Sequence, residues 1–137
     1  MKMRVLYFPQ KNKKIADIAE YLSKNSDDYK ADKIPPDYSL DKERLLVLGV
    51  SVGSKLPDDF RRFCSNLNAE RARNIAVYSD SSKENTEALV SLIKENGGNV
   101  VGDVYYVKSS FLSLAKASAE EKAGADAWYD EIVKLLK

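Results

Sequence analysis

Residues 5–14 of the chain read VLYFPQKNKK and join a short apolar run to a cluster of lysines. The apolar part is typical of a β-strand that is covered on both faces of a sheet. Beyond the lysines, apolar residues recur at helical spacing, at Ile15, Ile18, Ala19 and Leu22. The stretch therefore predicts a strand, a turn and a helix with one buried face. Turns of this kind bind phosphate in open α/β sheets, because backbone N–H groups and the helix dipole converge there.

The composition is that of an ordinary globular domain. The chain has 137 residues, of which 44% are hydrophobic and 31% are charged. This size fits one domain, residues 1–137, with a single core. Lysine and arginine number 22 against 21 acidic residues, a formal net charge of +1. That balance gives no indication of nucleic acid or of an anionic membrane surface as the main partner.

Two scarce residue types exclude several kinds of chemistry. The chain has no histidine, which removes histidine-dependent triads and the commonest metal ligand. Its one cysteine, Cys64, excludes an internal disulfide and cysteine-based zinc sites, and its place on an apolar helix stripe predicts a buried thiol. No apolar run approaches the roughly 18 residues that span a bilayer, and the N-terminus does not resemble a signal peptide. We expect a cytoplasmic protein without a membrane segment.

Strand and helix patterns alternate along the whole chain. The predicted strands are residues 5–8, 29–34, 45–50, 74–78 and 100–107, the last interrupted at 102–103. The predicted helices are residues 13–24, a helix with Pro57 in its first turn, a helix from Ser81 to Gly97, and a C-terminal helix after a loop over 108–120. Their apolar faces comprise Phe60, Phe63, Cys64 and Leu67, then Leu89, Leu92 and Ile93, then Ala125, Trp128, Ile132 and Leu135. This alternation predicts a doubly wound α/β fold, a five-stranded parallel sheet with helices on both faces.

The charges along residues 29–34 place that strand at an edge of the sheet. Residues 37–43 are polar and too few for a substantial helix.

With these elements in order, the chain resembles the flavodoxin family over nearly its whole length. Residues 45–51, LLVLGVS, look like the family's third strand and the loop over the flavin ring. Residues 77–82, VYSDSS, are similar to the family's G-D-S loop, and a helix and then GGNVV at 97–101 follow. The run YVKSSF at 106–111 is also similar to the family. The resemblance implies strand order 2-1-3-4-5, with FMN bound between strands 1 and 3.

The family's phosphate motif, roughly S/T-x-T-G-x-T, falls on residues 7–12, and here the sequence departs from it. Gln10 replaces the glycine, Pro9 lacks an N–H donor, and Asn12 keeps a polar side chain that suits a helix cap and a phosphate contact. Three lysines, Lys11, Lys13 and Lys14, stand nearby and offer positive charge to a dianion. By resemblance, residues 10–14 are the candidate phosphate site.

By the same resemblance, Val52, Gly53 and Ser54 would flank the flavin ring, and Ser79, Asp80 and Ser81 would bound its edge and contact the ribityl chain. Tyr78 would stack on the ring. Each of these segments also has a purely structural interpretation. Residues 52–54 form a plain strand-to-helix turn, Tyr78 packs in the core, and Ser81 or Ser82 caps a helix. For the two serines we favour the cap. Arg61, Arg62, Arg71 and Arg73 are interpreted as a solvated surface.

Two functions compete on these grounds. The first is a flavodoxin-like carrier that binds FMN without a covalent bond and passes electrons to a redox partner protein. The second is a flavin-free binding or regulatory module on the same fold, favoured by the missing glycine and threonines. An enzyme that reduces its own substrate through a flavin is a third alternative, for which the sequence offers no second nucleotide motif. Oligomeric state is not predicted.

Overall fold

The protein is described by a computed structural model that covers residues 1–109 and 115–136. Its elements are β1 (Met3–Phe8), α1 (Lys13–Leu22), β2 (Ala31–Lys33), β3 (Leu45–Val50), α2 (Asp58–Ser65), β4 (Ile75–Ser79), α3 (Lys83–Glu95), β5 (Tyr105–Tyr106) and α4 (Ala119–Lys134), with a short 3₁₀ turn at Ser23–Asn25. The predicted loop over 108–120 falls partly outside the described residues, as does the end of the YVKSSF run, and α4 begins inside that loop at Ala119.

The five strands form one parallel sheet in the order β2-β1-β3-β4-β5, which confirms the predicted fold class. The longest ladder joins β1 to β3 over six positions, from Met3 opposite Leu45 to Phe8 opposite Val50. The charged strand β2 lies at one edge, as its sequence predicts. At the other edge, Val100 forms only an isolated bridge with Ile75 before β5 begins, so the predicted interruption at 102–103 is present.

Helices cover both faces of the sheet, and the strand residues alternate between them. Met3 and Val5 of β1 pack with α1 and α4, whereas Leu6 of β1 packs with α2 and α3. All six residues of β3 are buried, because this central strand is covered on both faces. Cys64 lies in the second of these layers, where burial raises the pKa of its thiol to about 12.

The connection from β2 to β3, residues 34–44, contains no helix. Two prolines, Pro35 and Pro36, follow β2, and the polar residues after them offer no apolar stripe. As a result, an irregular segment rather than a helix runs beside α2 on that face of the sheet.

The favoured interpretation of the two serines is confirmed at Ser82, which caps α3 by accepting a hydrogen bond from the Asn85 amide at 3.1 Å. The predicted apolar face of α4 was partly wrong. The buried face of α4 includes Tyr129, which the predicted face omits. Leu135, which the predicted face includes, is 52% exposed because the helix ends at Lys134. The core stripe of α4 therefore runs at i, i+4 and i+7, from Ala125 through Tyr129 to Ile132.

Candidate functional site

Three loops meet at the carboxyl edge of the central strands. They are residues 9–12 after β1, residues 51–57 after β3 and residues 80–82 after β4. Backbone hydrogen bonds hold their first residues together, from the Ser51 amide to the Phe8 carbonyl at 2.8 Å and from the Asp80 amide to the Val50 carbonyl at 3.3 Å. Because β1 leads to a helix on one face and β3 to a helix on the other, the crevice between them is the switch point of the sheet.

The turn after β1 is closed by its own groups. The Asn12 amide donates to the Pro9 carbonyl at 3.2 Å, and the Asn12 side chain caps α1 by accepting from the Ile15 amide at 3.0 Å. The predicted cap is therefore confirmed. Phe8, which leads into the turn, stacks on Phe60 of α2 with ring centroids 4.2 Å apart. This contact ties the turn to the helix that follows β3.

Four backbone amides of the turn have no acceptor within the described residues. They belong to Gln10, Lys11, Lys13 and Lys14. Lys13 and Lys14 are the first two residues of α1, so their amides lie at the positive end of its dipole. Gln10, Lys11 and Lys13 are exposed. The turn therefore offers unpaired donors to solvent or to an anion.

A side-chain hydrogen bond crosses the mouth of the crevice. The Asn12 Nδ2 atom donates to Asp80 Oδ2 at 2.8 Å, and both residues are more than nine-tenths buried. We call this contact the Asn12–Asp80 bridge. It joins the turn after β1 to the loop after β4 and brings a carboxylate to the positive end of α1, where the helix dipole favours negative charge.

A second contact joins the loops after β3 and β4. The Ser81 Oγ atom accepts a hydrogen bond from the Val52 amide at 2.6 Å. Of the two serines, Ser81 thus joins these loops, and Ser82 is the helix cap. Gly53 and Ser54 are exposed, and a Cβ atom built on Gly53 meets no atom within 4 Å. The loop therefore leaves free space outside Gly53.

Ser79 and Tyr78 face inward, away from this space. Ser79 Oγ lies 2.9 Å from Thr86 Oγ1 and also accepts from the Ser81 amide, and the residue is fully buried. Tyr78 is likewise fully buried, and its hydroxyl donates to the Ile15 carbonyl in α1 at 2.7 Å. Burial raises the pKa of Tyr78 well above its usual value. Tyr78 therefore has the core role, not the ring contact that the resemblance implied.

Lys14 departs from its predicted role as a phosphate ligand. Its ammonium group donates to the Lys108 carbonyl at 3.0 Å and to Glu121 Oε2 at 2.9 Å, and the side chain is 10% exposed. Glu121 also accepts from the Ser118 amide, in a capping box at the start of α4. The Lys14 side chain thus docks α4 on α1. Its partners lie about a hundred positions away in the sequence, so no local pattern could have indicated them.

The contacts of Glu121 predict a loss of stability in acid. Burial alone raises the pKa of this carboxyl, but the Ser118 amide, then the hydrogen bond and charge of Lys14, outweigh burial and hold the pKa below 4.5. A depressed pKa contributes stability that is present above the unfolded-state value and is lost as the pH falls through the folded-state value. The pKa of Asp126, where the hydrogen bonds from Lys24 and Tyr21 outweigh burial, is shifted in the same direction.

We expect Glu121→Gln to lower the free energy of unfolding by about 1 kcal/mol at neutral pH. The difference from the unchanged protein should shrink as the pH falls below the usual pKa and vanish once the pH is below the depressed folded-state pKa, where the wild-type carboxyl is also protonated. Urea unfolding followed by circular dichroism at several pH values measures this difference. A gap that stays constant down to acid would contradict the assignment.

The described residues contain no group of three or more histidine, cysteine, aspartate or glutamate side chains placed to hold a metal ion. Within the same residues, no helix combines the length and apolar character that crossing a bilayer requires.

Comparison with known proteins identifies the fold. The chain superposes on a flavodoxin from Streptococcus pneumonia TIGR4 with a TM-score of 0.61 and 13% identity, covering 96% of this chain and 97% of that one. It superposes on a flavodoxin from the domain Archaea with a TM-score of 0.59 and 16% identity, covering 97% and 99%. The sequence matches no protein-family model and no curated protein. The protein has a flavodoxin-like fold, and the likeness lies in the structure.

The donor set at the turn fits the phosphate of FMN. Unpaired backbone amides and the exposed lysines Lys11 and Lys13 are groups that hydrogen-bond a dianion. The loop that would flank the flavin ring of FMN fits that group less well. Residues 52–54 offer backbone and short side chains but no aromatic side chain to stack on the flavin. A ligand that runs from the turn to the loop after β4 must also displace or pass the Asn12–Asp80 bridge.

Proposed function

We propose that this protein binds FMN without a covalent bond and carries electrons. The observation that carries the proposal is the set of four amides without an acceptor in the described residues at the β1–α1 turn, in a fold whose ligand crevice lies at that turn. Redox chemistry belongs to the flavin, and the protein contributes binding, orientation and electrostatics.

The roles of the residues follow from their exposure. The amides of Gln10, Lys11, Lys13 and Lys14 and the side chains of Lys11 and Lys13 hold the phosphate. The exposed backbone at Gly53 and Ser54 lies against the ring, and Ser81 keeps this loop in place through its hydrogen bond to Val52. The Lys14 side chain, Tyr78 and Ser79 support these loops from the core and make no contact with the ligand.

The net charge of an electron carrier affects how fast it associates with its redox partner protein. A net charge of +1 provides no strong long-range field, so docking on a redox partner protein depends on short-range contacts. We expect the association rate to vary little with ionic strength.

A titration of FMN fluorescence tests the phosphate site. We expect riboflavin, which lacks the phosphate, to bind at least about tenfold more weakly than FMN. The double variant Lys11→Gln/Lys13→Gln should weaken FMN binding about tenfold, or about 1.4 kcal/mol, and leave riboflavin unchanged.

The matched control removes the same charge elsewhere. Lys30→Gln/Lys94→Gln changes two exposed lysines outside the turn, one before β2 and one near the end of α3. FMN affinity should stay within about twofold of the unchanged protein. Equal losses in both double variants would mean that only net charge matters, and the turn would lose its assigned role.

A flavin-free binding or regulatory module is the second candidate, and the Asn12–Asp80 bridge favours it. The bridge brings a carboxylate of the protein to the end of α1 where a phosphate would otherwise be held. The absorption spectrum of purified protein discriminates between the two candidates. A yellow preparation supports the carrier, whereas a colourless one that also fails to quench added FMN supports the flavin-free module.

A further inference from the structure

A cleft lies between the helix-free connection 34–44 and α2. Its volume is about 300 Å³, at the lower end of the range of roughly 300–1,000 Å³ for small-molecule sites. It exists because no helix fills the space between β2 and β3 on this face of the sheet. None of the residues that line it belongs to the β1–α1 turn or to the loops after β3 and β4.

The floor of the cleft is apolar. Leu40 and Leu67 are buried beneath it, and Phe63, which the sequence placed on the inner stripe of α2, is only half-buried and forms part of its wall. Pro35 and Pro36 complete the apolar wall at the end of β2. A hydrocarbon or aromatic group placed here would leave water and gain hydrophobic stabilisation.

The rim is positively charged. Arg71 is fixed by a hydrogen bond from Nη1 to the Leu40 carbonyl at 3.2 Å, and no carboxylate of the described residues forms an ion pair with it. Arg62 is 72% exposed and has a long contact of 3.7 Å with Asp59, itself 80% exposed. Asp59 is the single acidic group among the lining residues, so the two arginines leave net positive charge at the rim. An exposed pair of this kind contributes little and exchanges readily for a better partner.

We propose that this cleft binds an amphipathic carboxylic acid, a small molecule with an aromatic or aliphatic tail. The tail packs on Leu40, Phe63 and Leu67, and the carboxylate accepts hydrogen bonds from Arg62 and Arg71. Guanidinium groups match a carboxylate in shape and charge, which gives the site its selectivity for an anionic headgroup. The proposal does not depend on flavin binding, because the two sites share no residue.

A titration of the ¹⁵N-labelled protein with 4-phenylbutyrate tests the proposal. We expect saturable shifts of the backbone amides of Leu40, Arg62 and Phe63 at millimolar concentration. The matched alcohol, 4-phenyl-1-butanol, has the same tail without the charge and should bind at least about tenfold more weakly. Butyrate, which keeps the charge without the ring, should also bind at least about tenfold more weakly.

The helix α2 supplies a matched pair of variants. Arg62→Gln should weaken 4-phenylbutyrate binding about tenfold. Arg61→Gln should leave it unchanged, because Arg61 has an equivalent exposed pair with Asp58 but does not line the cleft. The proposal is overturned if these amides do not shift, if the alcohol binds as well as the acid, or if both variants have the same effect.

Discussion

Replacing Gly49 with alanine is expected to lower the free energy of unfolding by about 3 kcal/mol, because the added methyl group would overlap the Tyr78 ring. Gly49 pairs with Tyr78 across β3 and β4, and a Cβ atom on Gly49 would lie 2.6 Å from Tyr78 Cε2 and closer still to Cζ and the hydroxyl. The Tyr78 side chain crosses β3 at this position to reach the Ile15 carbonyl in α1. The ring therefore needs a neighbour without a side chain.

Urea unfolding measures the effect, and Gly53→Ala is its control. At Gly53 the added methyl group meets no atom within 4 Å, so we expect stability to stay within about 0.5 kcal/mol. In a Tyr78→Ala background the cost of Gly49→Ala should fall well below its value in the unchanged protein, because the overlapping ring is gone. Equal costs in the two backgrounds would show that the destabilisation has another origin.

Replacing Lys14 with methionine is expected to cost about 2 kcal/mol of stability and to loosen α4. Methionine keeps most of the buried hydrocarbon stem but leaves Glu121 without its charged partner and the Lys108 carbonyl without its donor. Because Lys14 joins the first turn of α1 to the first turn of α4, the loss should be local. We expect the amides of α4 to exchange with deuterium faster than those of β3.

The neighbouring substitution Lys13→Met is the control for this prediction. Lys13 is exposed and forms no ion pair within the described residues, so its replacement should change stability by less than about 0.5 kcal/mol. Similar costs at positions 13 and 14 would contradict the docking role of Lys14. The backbone amide of residue 14 remains in the variant, so the proposed FMN site keeps that donor.

At the carboxyl edge, the residues that support the loops differ from those that are free to bind a ligand. Of the twelve residues that the sequence and the resemblance brought forward, Tyr78 and Ser79 lie in the core and the Lys14 side chain serves α4. Asn12 and Asp80 are joined to each other. The FMN proposal rests on the remaining residues and on the backbone amide of Lys14, and its donors are mainly backbone amides.

The sequence by itself determined the fold class, the edge position of β2, the interruption before β5, the cap of α1 and the buried thiol of Cys64. Each of these follows from local periodicity, turn residues or capping chemistry, which act within a few positions of the chain. The direction in which a side chain points at the end of a strand or in the first turn of a helix is not a local property. It depends on which distant atom lies within reach.

Only the tertiary structure therefore decided that Lys14 turns to Glu121, that Asn12 meets Asp80 and that Tyr78 reaches over Gly49 to α1. These partners are 107, 68 and 63 positions apart in the sequence. The cleft beside α2 has the same origin, because the sequence indicated a missing helix between β2 and β3 but not the space that its absence leaves. Packing of elements that are remote in the chain brings these groups together, and no spacing rule along one strand or helix encodes it.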